Sequence, residues 1–132
     1  MSTLTLTKIR QRFERPRVSD VPATVMEALD GMASHIQAEA SIAIAVGSRG
    51  IANLSTIVRT TVGFVKAQGA HPFIVPAMGS HGGATAAGQA DVLSSYGVTP
   101  EAMGCPVNSS METVELTGPE SPARVFMDRV AY

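Results

Sequence analysis

Pro72-Phe73-Ile74-Val75-Pro76-Ala77-Met78-Gly79-Ser80-His81-Gly82-Gly83-Ala84-Thr85 passes from an apolar run through a glycine-rich turn toward a helix-compatible segment, Ala86 to Tyr96. That order reads as strand, turn and helix start. Gly79, Gly82 and Gly83 permit backbone conformations that a Cβ penalises. Such a turn can aim several N–H groups at one point, and the helix start that follows favours negative charge. His81 stands in the middle, a side-chain type that exchanges protons near neutral pH. The pattern describes a cradle for an anionic substrate or cofactor.

Upstream, Ser41-Ile42-Ala43-Ile44-Ala45-Val46 is short, apolar and rich in small or β-branched residues, as a strand buried on both faces requires. Gly47-Ser48-Arg49-Gly50 ends it. Leu54, Ile57, Val58, Thr61 and Val65 then mark one stripe of a helix over 53–68, stopped by Gly69. Strand 42–46, this helix and strand 72–76 form one crossover unit, so the strands are parallel. Their carboxyl ends share a sheet edge, where ligands bind in open α/β sheets. The loops at 47–50 and 79–82 should therefore lie side by side. Arg49 would bring a planar cation suited to carboxylate or phosphate, and His81 an acid or base. The bland alternative is that both glycine turns serve packing alone and that Arg49 and His81 are merely solvated.

Outside this unit the signals are weaker. Residues 4–13 partly alternate and suggest a strand. Ser19 or Asp20 caps a helix with Pro22 in its first turn and Val21, Val25, Leu29, Met32 and Ile36 on one face. His35 reads as a cation-tolerant residue near that helix's end. His71 belongs at the start of its strand, on the sheet edge opposite the loops. Thr85 caps a helix over 86–96 that Gly97 ends, and Thr99-Pro100 opens a short helical turn. Residues 112–117 and 124–127 pattern as a hairpin about the turn at 118–122. The last residues, Asp128 to Tyr132, read as a helix start, so the chain is expected to be the front part of a longer protein, with one α/β domain over 1–132.

Composition narrows the classes. With 132 residues and 45% hydrophobic content, the chain can fill one core. A net charge of -1 gives no electrostatic footprint for nucleic acid. No apolar run reaches the ~18 residues of a membrane span, and no secretory pattern opens the chain. Cys105 is alone, which fits a reducing compartment, and a cytoplasmic location is expected. A homo-oligomer is compatible with the sequence. The central loop is no P-loop, since Gly-Lys-Ser/Thr is missing, and its glycine spacing differs from the dinucleotide fingerprint. Met78 stands where a nucleophile elbow centred on Ser80 needs glycine. No His, Cys, Asp and Glu cluster has metal-ligand spacing.

Ile44-Ala45-Val46-Gly47-Ser48-Arg49-Gly50 together with Pro76 to Thr85 resembles the N-terminal domain of the nickel-dependent lactate racemase family, as a divergent branch. The resemblance covers roughly residues 40–100. It implies a Rossmann-like three-layer α/β fold with a mostly parallel sheet. It also implies racemisation or epimerisation of a 2-hydroxy acid by hydride transfer, with a nickel pincer nucleotide. His81 matches the family's first catalytic histidine and Arg49 its substrate and cofactor arginine. Ser48, Gly79, Ser80, Gly82, Gly83 and Thr85 fall in the binding loops. Gly47-Ser48 replaces the family's aspartate, and Gly82 an arginine that often follows the histidine. Both departures point away from lactate itself. The lysine and histidines that anchor the cofactor would belong to a C-terminal remainder, because neither Lys8 nor Lys66 suits the tether. Two other readings stay open: a non-catalytic phosphate- or nucleotide-binding module, and a serine hydrolase using Ser80.

Overall fold

The computed structural model describes residues 7–118 and 122–132. Its centre is a parallel pair of strands, β1 (Ser41–Val46) and β2 (His71–Pro76), in register from Ser41 opposite His71 to Val46 opposite Pro76. Residues 106–108 add one ladder step on the far side of β2. There Ile74 N–H donates to Pro106 C=O at 2.8 Å, and Asn108 N–H donates to Ile74 C=O at 2.8 Å. The crossover from β1 to β2 is α2 (Leu54–Ala67), as the strand–helix–strand reading requires.

The core forms where alternate strand residues meet the helices. Val46 and Ile74 pack with Val58 and Val62 of α2, Leu93 of α3 (Ala86–Ser95) and Met103 of α4 (Pro100–Met103). Ile74 and Leu93 are fully buried. Burial of each such side chain is worth about 1.5–3 kcal/mol. A second cluster joins Phe64, Val65 and Ala70 to Leu29, Ala33 and Ile36, with Ile42 and Ile44 beneath. α2 is thus buried on two flanks, by the sheet and by α1 (Val21–Asp30). The single-stripe expectation is corrected accordingly. Val62 and Phe64 are buried, while Ile57 and Thr61 are only half-buried.

Caps behave as the residue types predict. Asp20 accepts from Ala23 N–H, Thr85 from Gly88 N–H and Thr99 from Ala102 N–H. α1 ends at Asp30, however, and Met32 lies beyond it, before a single 3₁₀ turn at Ala33–His35. β3 (Thr113–Glu115) and β4 (Phe126–Asp128) pair antiparallel as the expected hairpin, and Arg124 grips Glu115 through two hydrogen bonds of 3.0 and 2.7 Å. That grip holds the Glu115 carboxyl below its ordinary range. The middle of the turn joining these strands lies outside the described residues.

Two expectations need correction. The strand over 4–13 is not seen: residues 7–18 carry no regular structure, and 4–6 lie outside the described residues. The described helices that pack on the sheet share the Ile44–Ile74 face, giving two layers around a very small sheet. The third layer of a Rossmann-like fold is not among the described residues. None of the described helices is long and apolar enough to cross a membrane.

Candidate functional site

The carboxyl ends of β1 and β2 are tied together where their loops begin, by Ala77 N–H donating to Val46 C=O at 2.8 Å. From there the chain enters residues 47–50 on one side and 79–83 on the other. Loop meets loop through the side chains of Ser48 and His81: Ser48 Oγ hydrogen-bonds to His81 Nδ1. With Ser48 as donor, the neutral ring carries its proton on Nε2. Both residues are accessible, Ser48 half-buried and His81 exposed.

The expected pairing of loops is therefore present, but the residue that touches His81 is Ser48. Arg49 is exposed and makes no ion pair or hydrogen bond among the described residues. The N–H groups of Ser48, Arg49, Gly50, Gly79 and Ser80 likewise have no partner among them. A free guanidinium, five uncommitted amides and a hydroxyl–imidazole pair thus share one sheet edge. That is a donor-rich surface for an anion, with one group able to take a proton.

Other members of the set are committed to structure. Thr85 Oγ1 accepts from Gly88 N–H at 3.0 Å and donates to Gly82 C=O at 3.1 Å, so its hydroxyl caps α3. Gly82, at φ +64°, lies directly on the backbone of Gly88.

Two positioning residues were missed by sequence reasoning, both on or just after α3. Gln89 is 5% exposed, and its Nε2 donates to Gly79 C=O at 2.7 Å. Tyr96 donates its hydroxyl to Ser48 C=O at 3.0 Å, and its ring lies against Gly50, where an added Cβ would sit 3.1 Å from Cε1. One helix therefore braces both loops. Positions 89 and 96 lie two helical turns apart on one face, but no sequence signal points to either contact.

The loop edge is an open shelf. A small recess of about 90 Å³ lies between Arg49, Gly50, Ile51 and Leu54. A larger cleft of about 690 Å³ lies at the opposite edge, beside Lys66, His71 and Cys105. There His71 pairs with Glu39 at 2.9 Å, and Lys66 donates to Gly104 C=O at 2.5 Å. Burial pushes the Cys105 thiol up, opposed by the Lys66 ammonium. A protonated thiol is a poor nucleophile, and none of these groups reaches the loops.

No group of three or more His, Cys, Asp or Glu among the described residues could hold a metal ion. Lys66 is at the wrong edge and Lys8 is in the N-terminal arm. The residues present therefore do not fit a nickel pincer nucleotide by themselves. The chain matches no protein-family model, no curated protein and no solved structure.

Proposed function

We propose that this chain is the N-terminal, substrate-binding part of a racemase-like enzyme for a 2-hydroxy acid, with a Rossmann-like three-layer fold, working in the cytoplasm. The observation that carries the reading is the hydrogen bond between Ser48 and His81 across two crossover loops, with Arg49 free beside it. The substrate carboxylate binds Arg49 and the open amides, a charge-assisted contact stronger than a neutral one. Its 2-hydroxyl bonds to Ser48 Oγ. As the α-carbon becomes planar, the hydroxyl proton passes to Ser48 while Ser48 passes its own to His81 Nδ1. The imidazolium then returns the proton by the same route. None of the residues at these loops can accept the α-hydride; a nickel pincer nucleotide, as the resemblance implies, would supply that chemistry and would be held by residues of the C-terminal remainder. Because the shelf does not exclude water, the chain alone binds without turning over.

The second reading is a phosphate- or nucleotide-binding module. It is favoured by the five unpartnered amides and by the missing carboxylate at Ser48. Titrating the ¹⁵N-labelled chain with a panel of chiral 2-hydroxy acids, their deoxy counterparts and inorganic phosphate separates the two. The first reading expects at least one 2-hydroxy acid to shift amides in 47–50 and 79–83 with a dissociation constant of about 1 mM, about -4 kcal/mol. Its deoxy counterpart, lacking the hydroxyl, binds more weakly. Saturable shifts with phosphate and none with any 2-hydroxy acid of the panel would establish the second reading and remove the first.

A further inference from the structure

β1 leaves one side of the sheet bare. Ala40 C=O accepts from His71 N–H and Val46 C=O from Ala77 N–H, so the even-numbered residues of β1 face β2. The N–H and C=O groups of Ser41, Ala43 and Ala45 therefore point away from it. β2 is the only strand that β1 pairs with among the described residues. The edge is six residues long, with no lysine, proline or bulge to discourage another strand.

The N-terminal arm has the complementary features. Ile9 is 82% exposed and Phe13 69% exposed, an unusual display for two large apolar side chains in one short segment. When residues 7–13 are extended, Thr7, Ile9, Gln11 and Phe13 fall on one side and Lys8, Arg10 and Arg12 on the other. The arm's position fits as well. Pro16, Arg17 and Val18 line one cleft with Val21, Ala52 and Asn53, so the arm leaves α1 at the carboxyl edge of the sheet, close to where β1 ends. α1 then runs to the amino edge, where Glu39 N–H donates to Gly69 C=O at 2.8 Å and β1 begins. It lies on the same sheet face as α2.

We propose that residues 7–13, which carry no regular structure and stand exposed in the described conformation, adopt a second one in which they dock along the free edge of β1 in the same chain, as an additional parallel strand. The arm, α1 and β1 then repeat the unit made by β1, α2 and β2, with the same direction of advance and the same hand. Ile9 and Phe13 turn toward the helix layer. Lys8, Arg10 and Arg12 fall on the opposite face, where Val130, Ala131 and Tyr132 line a cleft with Ser41, Ala43 and Phe73, and charges on the new outer strand resist further pairing.

Amide hydrogen exchange of the whole chain tests this, because the N–H groups of Ala43 and Ala45 gain partners only from a docked strand. Expected is slowing of both amides by about 100-fold relative to open amides, independent of protein concentration. In the Ile9→Asp, Phe13→Asp double variant that protection disappears, while the His71 and Ile74 amides, bonded inside the sheet, keep theirs and show that the fold survives. Free exchange of Ala43 and Ala45 in the unaltered chain overturns the proposal. Protection that grows with concentration also overturns it, by assigning the edge to a second copy.

Discussion

Gly82→Ala is expected to lower stability by about 2–5 kcal/mol, the largest effect of any single methyl in the loop region. The cost has two sources. Gly82 sits at φ +64°, where an L side chain costs about 1–2 kcal/mol. Its new Cβ would also lie 2.4 Å from Gly88 C and 2.5 Å from Gln89 N. These are backbone atoms of α3, so no rotamer change relieves the overlap, and forced overpacking adds about 1–3 kcal/mol. The contact is mutual, since a Cβ on Gly88 would lie 1.9 Å from Gly82 O. In a chain of this size the loss corresponds to a fall in Tm of roughly 10–20 °C. Gly83→Ala is the control. Gly83 has a similar φ of +67° but nothing within 4 Å of its would-be Cβ, so only the conformational cost applies. Urea or thermal denaturation of the two variants measures the difference. Equal losses would mean that the loop does not rest on α3.

On the proposed reading, His81→Gln is expected to reduce kcat/KM for a 2-hydroxy acid by about 10²–10⁴-fold in the cofactor-loaded full-length protein, the usual weight of a general acid–base group. Glutamine still hydrogen-bonds to Ser48 but cannot carry the proton. Substrate affinity should change only a few-fold. Arg49→Ala should do the reverse, raising KM about 10–100-fold through loss of a charged hydrogen bond worth about 1.5–3 kcal/mol, with a smaller change in kcat. Steady-state turnover of both enantiomers by the three proteins gives the comparison. An unchanged kcat in His81→Gln removes His81 from the chemistry.

What the sequence made legible was mostly local. Thr85, Thr99 and Asp20 announce helix starts because a short polar side chain can satisfy a nearby N–H. The glycines of the central loop punctuate the passage from β2 to α3, and the crossover rule then brings the two loops to one edge. Contacts distant in sequence were not legible. Nothing at Tyr96 shows that its hydroxyl reaches Ser48, 48 positions away. Gln89 looks like an ordinary helix residue until its burial beneath Gly79 is known. The second buried flank of α2 exists only because α1 packs there, so one amphipathic stripe underestimated it. Thr85 and Gly82 fell in the expected binding loop, yet their atoms are taken up by the cap and by the contact with α3. Ser48, ranked there beside Arg49, is the residue that touches the imidazole.

The meeting of the two loops is tested most directly by proton NMR of the unliganded chain. Cross-relaxation between the Ser48 β-protons and the His81 ring protons is predicted in the unaltered protein. In Tyr96→Phe, which frees the Ser48 carbonyl, it should weaken while the spectrum of the core stays in place. A His81 ring that shows no cross-peak to Ser48, with the Ala77–Val46 bond intact, would contradict a shared site at this edge.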